Sequence, residues 1–160
     1  MADNKLSLLI ISSFNCRGFN SIKSRYIENL LSTCHIIFLQ EHWLDDAQLG
    51  TLANISAGVA YTAVAGFDNS DVLTGRLYGG CAILWQSNLL VNVSHIDVNS
   101  RRICAARVCF ESVKLLLMNV YMPYEDGGEQ NTDEFVYVLA LVEDIINNNS
   151  DCHVILGGGF

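Results

Sequence analysis

Short apolar runs that stop abruptly at polar or glycine-rich residues constrain this chain more than any other feature. Ile36-Ile37-Phe38-Leu39 gives way to Gln40-Glu41-His42-Trp43. Leu115 to Tyr121 carries Asn119-Val120-Tyr121-Met122-Pro123 at its end, and Val154-Ile155-Leu156 runs into Gly157-Gly158-Gly159-Phe160. Runs of this length, bounded by turn formers, fit buried strands better than helices. Three strands that end in polar or glycine-rich edges suggest one shared site. A further run, Leu6 to Ile11, hands over to Ser12-Ser13-Phe14-Asn15-Cys16-Arg17-Gly18, where the glycine breaks the pattern and leaves Asn15 and Arg17 at a strand end.

Between these runs the pattern alternates. Ile22, Tyr26, Ile27, Leu30 and Leu31 recur at helical spacing, with Lys23, Arg25 and Glu28 opposite, so an amphipathic helix follows the first strand. Strand, helix, strand favours an α/β fold. Asp45 to Ala53 reads as a short helix. Tyr61 to Ala65, Cys81 to Trp85, Val91 to Ile96, Ile103 to Phe110 and Leu115 to Tyr121 then follow at short intervals as a β-meander. Asn131 to Asn147 reads as a helix with Phe135, Val138, Leu139, Val142, Ile145 and Ile146 on one face, and Asn131 with Glu134 as a reciprocal cap. The Glu-, Asp- and Gly-rich loop from Tyr124 to Thr132 is the expected mobile segment.

At 160 residues and 51% hydrophobic, the chain can bury one sizeable core, and residues 1–160 read as a single domain with no internal repeat or linker. The net charge of -8 gives no bulk attraction for a polyanion, so nucleic-acid binding has to rest on a local patch or a metal. Six cysteines without a C-x-x-C pair fit buried free thiols in a reducing compartment. The run Leu6 to Ile11 is too short for a membrane span and unlike a complete signal peptide, which leaves a nuclear or cytoplasmic setting as the expectation.

Four places carry candidate chemistry. Glu41 stands directly after a buried strand, where one well-held carboxylate can anchor a hard divalent cation that keeps several waters; a solvated loop acid looks the same in sequence. Asn15 can orient a phosphate or a metal-bound water, or simply serve its turn. The Tyr121 phenol, which we read as facing away from Asn119, can donate to a phosphoryl oxygen or pack. The stretch Asp71 to Gly80 has glycines but neither the lysine nor the helix start of a P-loop, and reads as a hairpin turn into the next strand. Cys34-His35 and Cys152-His153 are adjacent pairs whose side chains point to opposite faces of a strand, which excludes direct Cys/His pairing.

Taken in order, Phe14-Asn15-Cys16-Arg17-Gly18, Phe38-Leu39-Gln40-Glu41-His42-Trp43-Leu44, Gly79-Gly80-Cys81-Ala82-Ile83-Leu84-Trp85, Asn119-Val120-Tyr121-Met122-Pro123 and Ile155-Leu156-Gly157-Gly158-Gly159-Phe160 resemble the endonuclease/exonuclease/phosphatase superfamily. They look most like the endonuclease domain of non-LTR (LINE-type) retrotransposons. The resemblance implies a four-layer α/β sandwich: two packed, mainly antiparallel sheets flanked by helices, incomplete here at the C-terminus. It further implies hydrolysis of a phosphodiester or phosphomonoester with Mg2+ or Mn2+, and DNA as the partner of an intact member. Residue by residue, Glu41 matches the metal-binding Glu, Asn15 the active-site Asn of the first motif, and Tyr121 the phosphate-contacting Tyr.

The departures bear on activity. Where the family has Gly-Asp-Phe-Asn, this chain has Gly159 in the Asp position, and the late motif with the catalytic histidine is absent; His35, His42, His95 and His153 match no such motif. Positioned acid–base groups each contribute about 10²- to 10⁴-fold in rate, so a weak or inactive nuclease is expected. The alternatives are a non-catalytic remnant or binding fragment, and a same-family phosphatase acting on a lipid or small molecule.

Overall fold

The apolar runs pair into two sheets of four strands each. The structure is a computed structural model that describes residues 8–67, 78–89, 91–110, 112–123 and 129–159. Strands β1 (Ile11–Asn15), β2 (Ile36–Gln40), β3 (Val59–Val64) and β4 (Cys81–Gln86) form one sheet in the order β1-β2-β4-β3. Strands β5 (Asn92–Ile96), β6 (Ile103–Phe110), β7 (Val113–Tyr121) and β8 (His153–Gly159) form the other in the order β5-β6-β7-β8. The pairs β1/β2 and β7/β8 are parallel, and every other pairing is antiparallel.

Two-residue periodicity then sorts side chains into layers. Ile36, Phe38, Cys81 and Ile83 of the first sheet meet Cys104, Ala106, Val108 and Leu117 of the second. The opposite face of the first sheet, Ile37, Leu39, Ala82 and Leu84, is covered by Ile27 and Leu31 of helix α1 (Ser21–Leu31) and by Leu52 of the 3₁₀ helix Leu49–Asn54. The outer face of the second, Ile103, Ala105, Leu116, Met118 and Val120, is covered by Val138, Val142 and Ile145 of helix α2 (Glu129–Asn147). The result is the expected four-layer sandwich. No helix among the described residues is long and apolar enough to cross a membrane.

Several local expectations change. The first strand starts at Ile11, not Leu6: Leu8 and Ile10 are exposed, and the Ile10 carbonyl accepts from the backbone N–H groups of His35 and Ile36 where the β1/β2 ladder begins. Helix α1 is capped by Asn20, whose side chain accepts from the N–H groups of Ile22 and Lys23, but Ile22 and Tyr26 lie on its exposed side. Asp45 to Ala53 does not form an α-helix; side-chain bonds between Asp45 and Gln48 set up a turn that continues as the 3₁₀ helix.

The central strands are not one meander. The hairpin β3/β4 joins β1 and β2, while β5, β6 and β7 form a meander in the opposite sheet. Helix α2 begins at Glu129, two residues before Asn131, and the Glu134 carboxylate accepts from Arg102. Tyr121 stands two residues after Asn119, so the two share a face and do not oppose one another. Leu6, Ser7, most of the Asp71–Gly80 stretch and the first part of the loop after Tyr124 lie outside the described residues.

Candidate active site

The parallel pairs β1/β2 and β7/β8 end on the same side of the sandwich, and their carboxyl ends bring the sequence-read positions together. Asn15 is the last residue of β1 and Glu41 follows the last of β2. The Asn15 Nδ2 donates to Glu41 Oε1 at 2.6 Å, while its Oδ1 accepts from the Arg17 N–H at 3.2 Å. Asn15 therefore closes the turn its sequence allowed, and in addition it holds the Glu41 carboxylate, a contact the sequence did not announce.

Across the gap, Tyr121 ends β7 and pairs with Gly159 of β8. A Cβ built at Gly159 would stand 3.3 Å from Tyr121 Cδ2 and 3.9 Å from Asn15 Nδ2. Asn15, Glu41, Tyr121 and Gly159 thus share one end of the sheets. The Tyr121 phenol titrates above its ordinary range, first because it is partly desolvated and then because the Glu41 carboxylate lies nearby; the Arg102 guanidinium opposes the shift.

Glu41 itself sits in a fixed loop. Its backbone is left-handed (φ 53°), as are those of Arg17 (φ 46°) and Trp43 (φ 59°), a conformation that non-glycine residues keep only when their surroundings impose it. The Gly18 N–H donates to the Glu41 carbonyl at 2.7 Å, and the Phe19 N–H to that of His42 at 2.9 Å. The two side chains after Glu41 seat on glycines of two different loops. A Cβ at Gly80 would come within 2.3 Å of the His42 ring, and one at Gly18 within 2.6 Å of the Trp43 ring. Burial of His42 lowers its pKa to about 4, with the backbones of Val64 and Cys81 resisting the shift. Its Nδ1 accepts from the Leu44 N–H, which places the neutral ring's proton on Nε2.

The sequence reading passed over Arg102. This residue lies 5.7 Å from the Tyr121 ring centroid and grips Glu134 through two hydrogen bonds of 2.6 and 3.0 Å. The signal was present, because Arg101-Arg102 is the single adjacent pair of basic residues in the chain. A cavity of about 570 Å³ opens beside Tyr121, with both arginines, Tyr78 and Tyr137 among its walls. Asp46 pairs with Arg101 as Glu134 does with Arg102, so the cavity is polar without a strong net charge.

Among the described residues, no three His, Cys, Asp or Glu side chains converge as a metal cage. The donor chemistry at Glu41 suits an ion that takes one or two carboxylates and keeps its water, as magnesium does, and does not suit a site of zinc or calcium type.

Similar folds occur among solved structures. AP endonuclease LMAP from Leishmania major superposes with a TM-score of 0.69 at 12% identity, over 94% of this chain and 54% of that one. The 3′ phosphatase NExo from Neisseria, solved with a product DNA hairpin, gives 0.63 at 21% identity over 94% and 57%. The endonuclease domain of TRAS1, a telomere-specific non-LTR retrotransposon, gives 0.59 at 14% identity over 94% and 58%. The chain therefore spans less than two thirds of the length of each. No curated protein matches it in sequence. A model of the endonuclease/exonuclease/phosphatase family matches residues 12–160, from the first strand through the glycine run, and the chain belongs to that family.

Proposed function

We propose that this chain carries part of a magnesium- or manganese-dependent phosphodiesterase site of the DNA-nicking type, with low activity of its own. One observation supports the reading above the others: the Asn15–Glu41 hydrogen bond lies at the same sheet end as Tyr121. In this reading Glu41 holds the cation and Asn15 fixes the carboxylate's rotamer. Tyr121 donates its phenolic hydrogen to a phosphoryl oxygen, and its raised pKa keeps that hydrogen in place through neutral pH. A bound divalent ion would supply charge neutralisation at the phosphoryl group. Arg102, stacked on Tyr121, keeps the phenol's direction.

Proton transfer is the weak point. Gly159 offers no carboxylate where the family has an Asp, which favours, as a second reading, a domain that binds a phosphate-bearing partner without cleaving it. Nicking of supercoiled plasmid with magnesium, run beside Glu41→Ala, separates the two. Slow, magnesium-dependent nicking that disappears in the variant supports the first reading. A folded chain that does not nick, yet binds DNA in a manner sensitive to Glu41→Ala, supports the second.

A further inference from the structure

Just behind the site, the layer between the sheets turns from hydrocarbon to amide. Gln40 and Asn119 are 1% and 0% exposed. The Asn119 Nδ2 donates to the carbonyls of Leu39 on β2 and Ala82 on β4, both at 2.8 Å. Its Oδ1 accepts from Gln40 Nε2 at 2.7 Å, and the same Nε2 reaches Ser13 Oγ on β1 at 3.1 Å. One side chain of the second sheet is thereby bonded to β2 and β4 of the first, and through Gln40 to β1.

The position of these amides is informative. Gln40 immediately precedes Glu41, and Asn119 lies two residues before Tyr121 on the same face. Apolar contact between sheets fixes their spacing but is non-directional, and it resists sliding only through side-chain fit. Hydrogen bonds are narrow in distance and angle. We propose that Gln40 and Asn119 are positioning residues, a buried bridge that sets the lateral register of the two sheets and so fixes Glu41 relative to Tyr121. This rests on the reading of those two residues as one site. A bridge that served stability alone would cost folding free energy when both amides are replaced by hydrocarbon, because the Leu39 and Ala82 carbonyls then lose a donor, but it would leave the placement of Glu41 against Tyr121 unchanged.

That difference gives the test. The Tyr121 phenol is titrated by NMR, assigned with Tyr121→Phe, with and without Glu41→Gln, first in the parent chain and then in Gln40→Met/Asn119→Leu. In the parent, Glu41→Gln lowers the phenol's pKa, since the carboxylate is one of the groups that raise it. In the paired variant that difference falls to about half or less as the charge and phenol move apart, and the unfolding midpoint falls too, because the Leu39 and Ala82 carbonyls lose their donor. Asn119→Leu alone strands Gln40 and lowers the midpoint. If the paired variant does not fold, Gln40→Met is read in the same way, because Asn119 keeps its bonds to Leu39 and Ala82. An unchanged difference in the bridge variant, or none in the parent, overturns the proposal. The titration needs neither metal nor substrate, so it can fail while magnesium-dependent nicking stands, and the reverse.

Discussion

Gly159→Asp places a carboxylate where β8 faces Asn15 and Tyr121. The backbone at 159 lies outside the left-handed region, and the new Cβ would stand 3.3 Å from the Tyr121 ring edge, so the ring gives by a few tenths of an ångström. Relief of glycine's excess chain entropy returns about 0.5–1 kcal/mol. Against this, the Asn15 Nδ2 lies 3.9 Å from that Cβ and is bonded to Glu41, which puts the two carboxylates within a side chain's reach of each other. At a separation of about 5 Å, their repulsion is about 1 kcal/mol in water and about 3 kcal/mol at an effective dielectric of 20. In chelator the variant is therefore less stable by up to about 2 kcal/mol, a fall of several degrees in Tm. Magnesium reverses the sign, because a cation shared by both carboxylates binds the folded state alone. Thermal unfolding in chelator and in magnesium, with plasmid nicking alongside, measures this. Equal shifts under both conditions would refute the placement of residue 159 beside Glu41.

Tyr121→Phe keeps the ring between Arg102 and Gly159 and leaves Tm nearly unchanged, but loses a hydrogen bond to a charged oxygen; inorganic phosphate or DNA binding, followed by titration, should weaken about 10- to 100-fold. Neutral buried His42 makes stability fall as pH drops from the free histidine range towards its folded value of about 4, by about 3 kcal/mol in all. Unfolding curves across pH 7 to 4 should flatten in His42→Gln, and an unchanged acid limb would show that another group is responsible. Gly157→Ala drives a methyl to within 2.5 Å of the Phe38 ring and should cost about 1–3 kcal/mol, recovered in part by Phe38→Leu. Glu41→Ala should abolish whatever magnesium-dependent nicking the chain shows, without loss of fold.

The strands were legible because their signal is local: Ile36 to Leu39 and Ile103 to Phe110 are apolar over the length of a strand, and the structure keeps both within a residue. Their distribution between sheets was not, because nothing in Tyr61 or Cys81 says which distant strand will pair with it. The same limit explains Ile22 and Tyr26. Helical spacing identifies a helix, but which apolar residues it buries depends on where the sheet lies, and here Ile27 and Leu31 face it. At the site, residue type and strand-end position pointed to Glu41, Asn15 and Tyr121. The parts that depend on which strands meet stayed hidden, chiefly the Gln40–Asn119 bonds between the two sheets and the approach of Arg102, just before β6, to the Tyr121 ring on the neighbouring β7.

The two sheets repeat one arrangement: a parallel pair at one edge followed by two antiparallel steps, with β1, β2, β4, β3 mirrored by β8, β7, β6, β5. Asn15 and Glu41 lie at the end of one parallel pair, Tyr121 and Gly159 at the end of the other. Neither half holds all four, so the cleft is a clasp between the two sheets. Loop-closure entropy makes such distant contacts slow to form. A ligand spanning the clasp would add its binding free energy to the closure of both halves at once, so occupancy and global folding of this molecule should be read as one equilibrium.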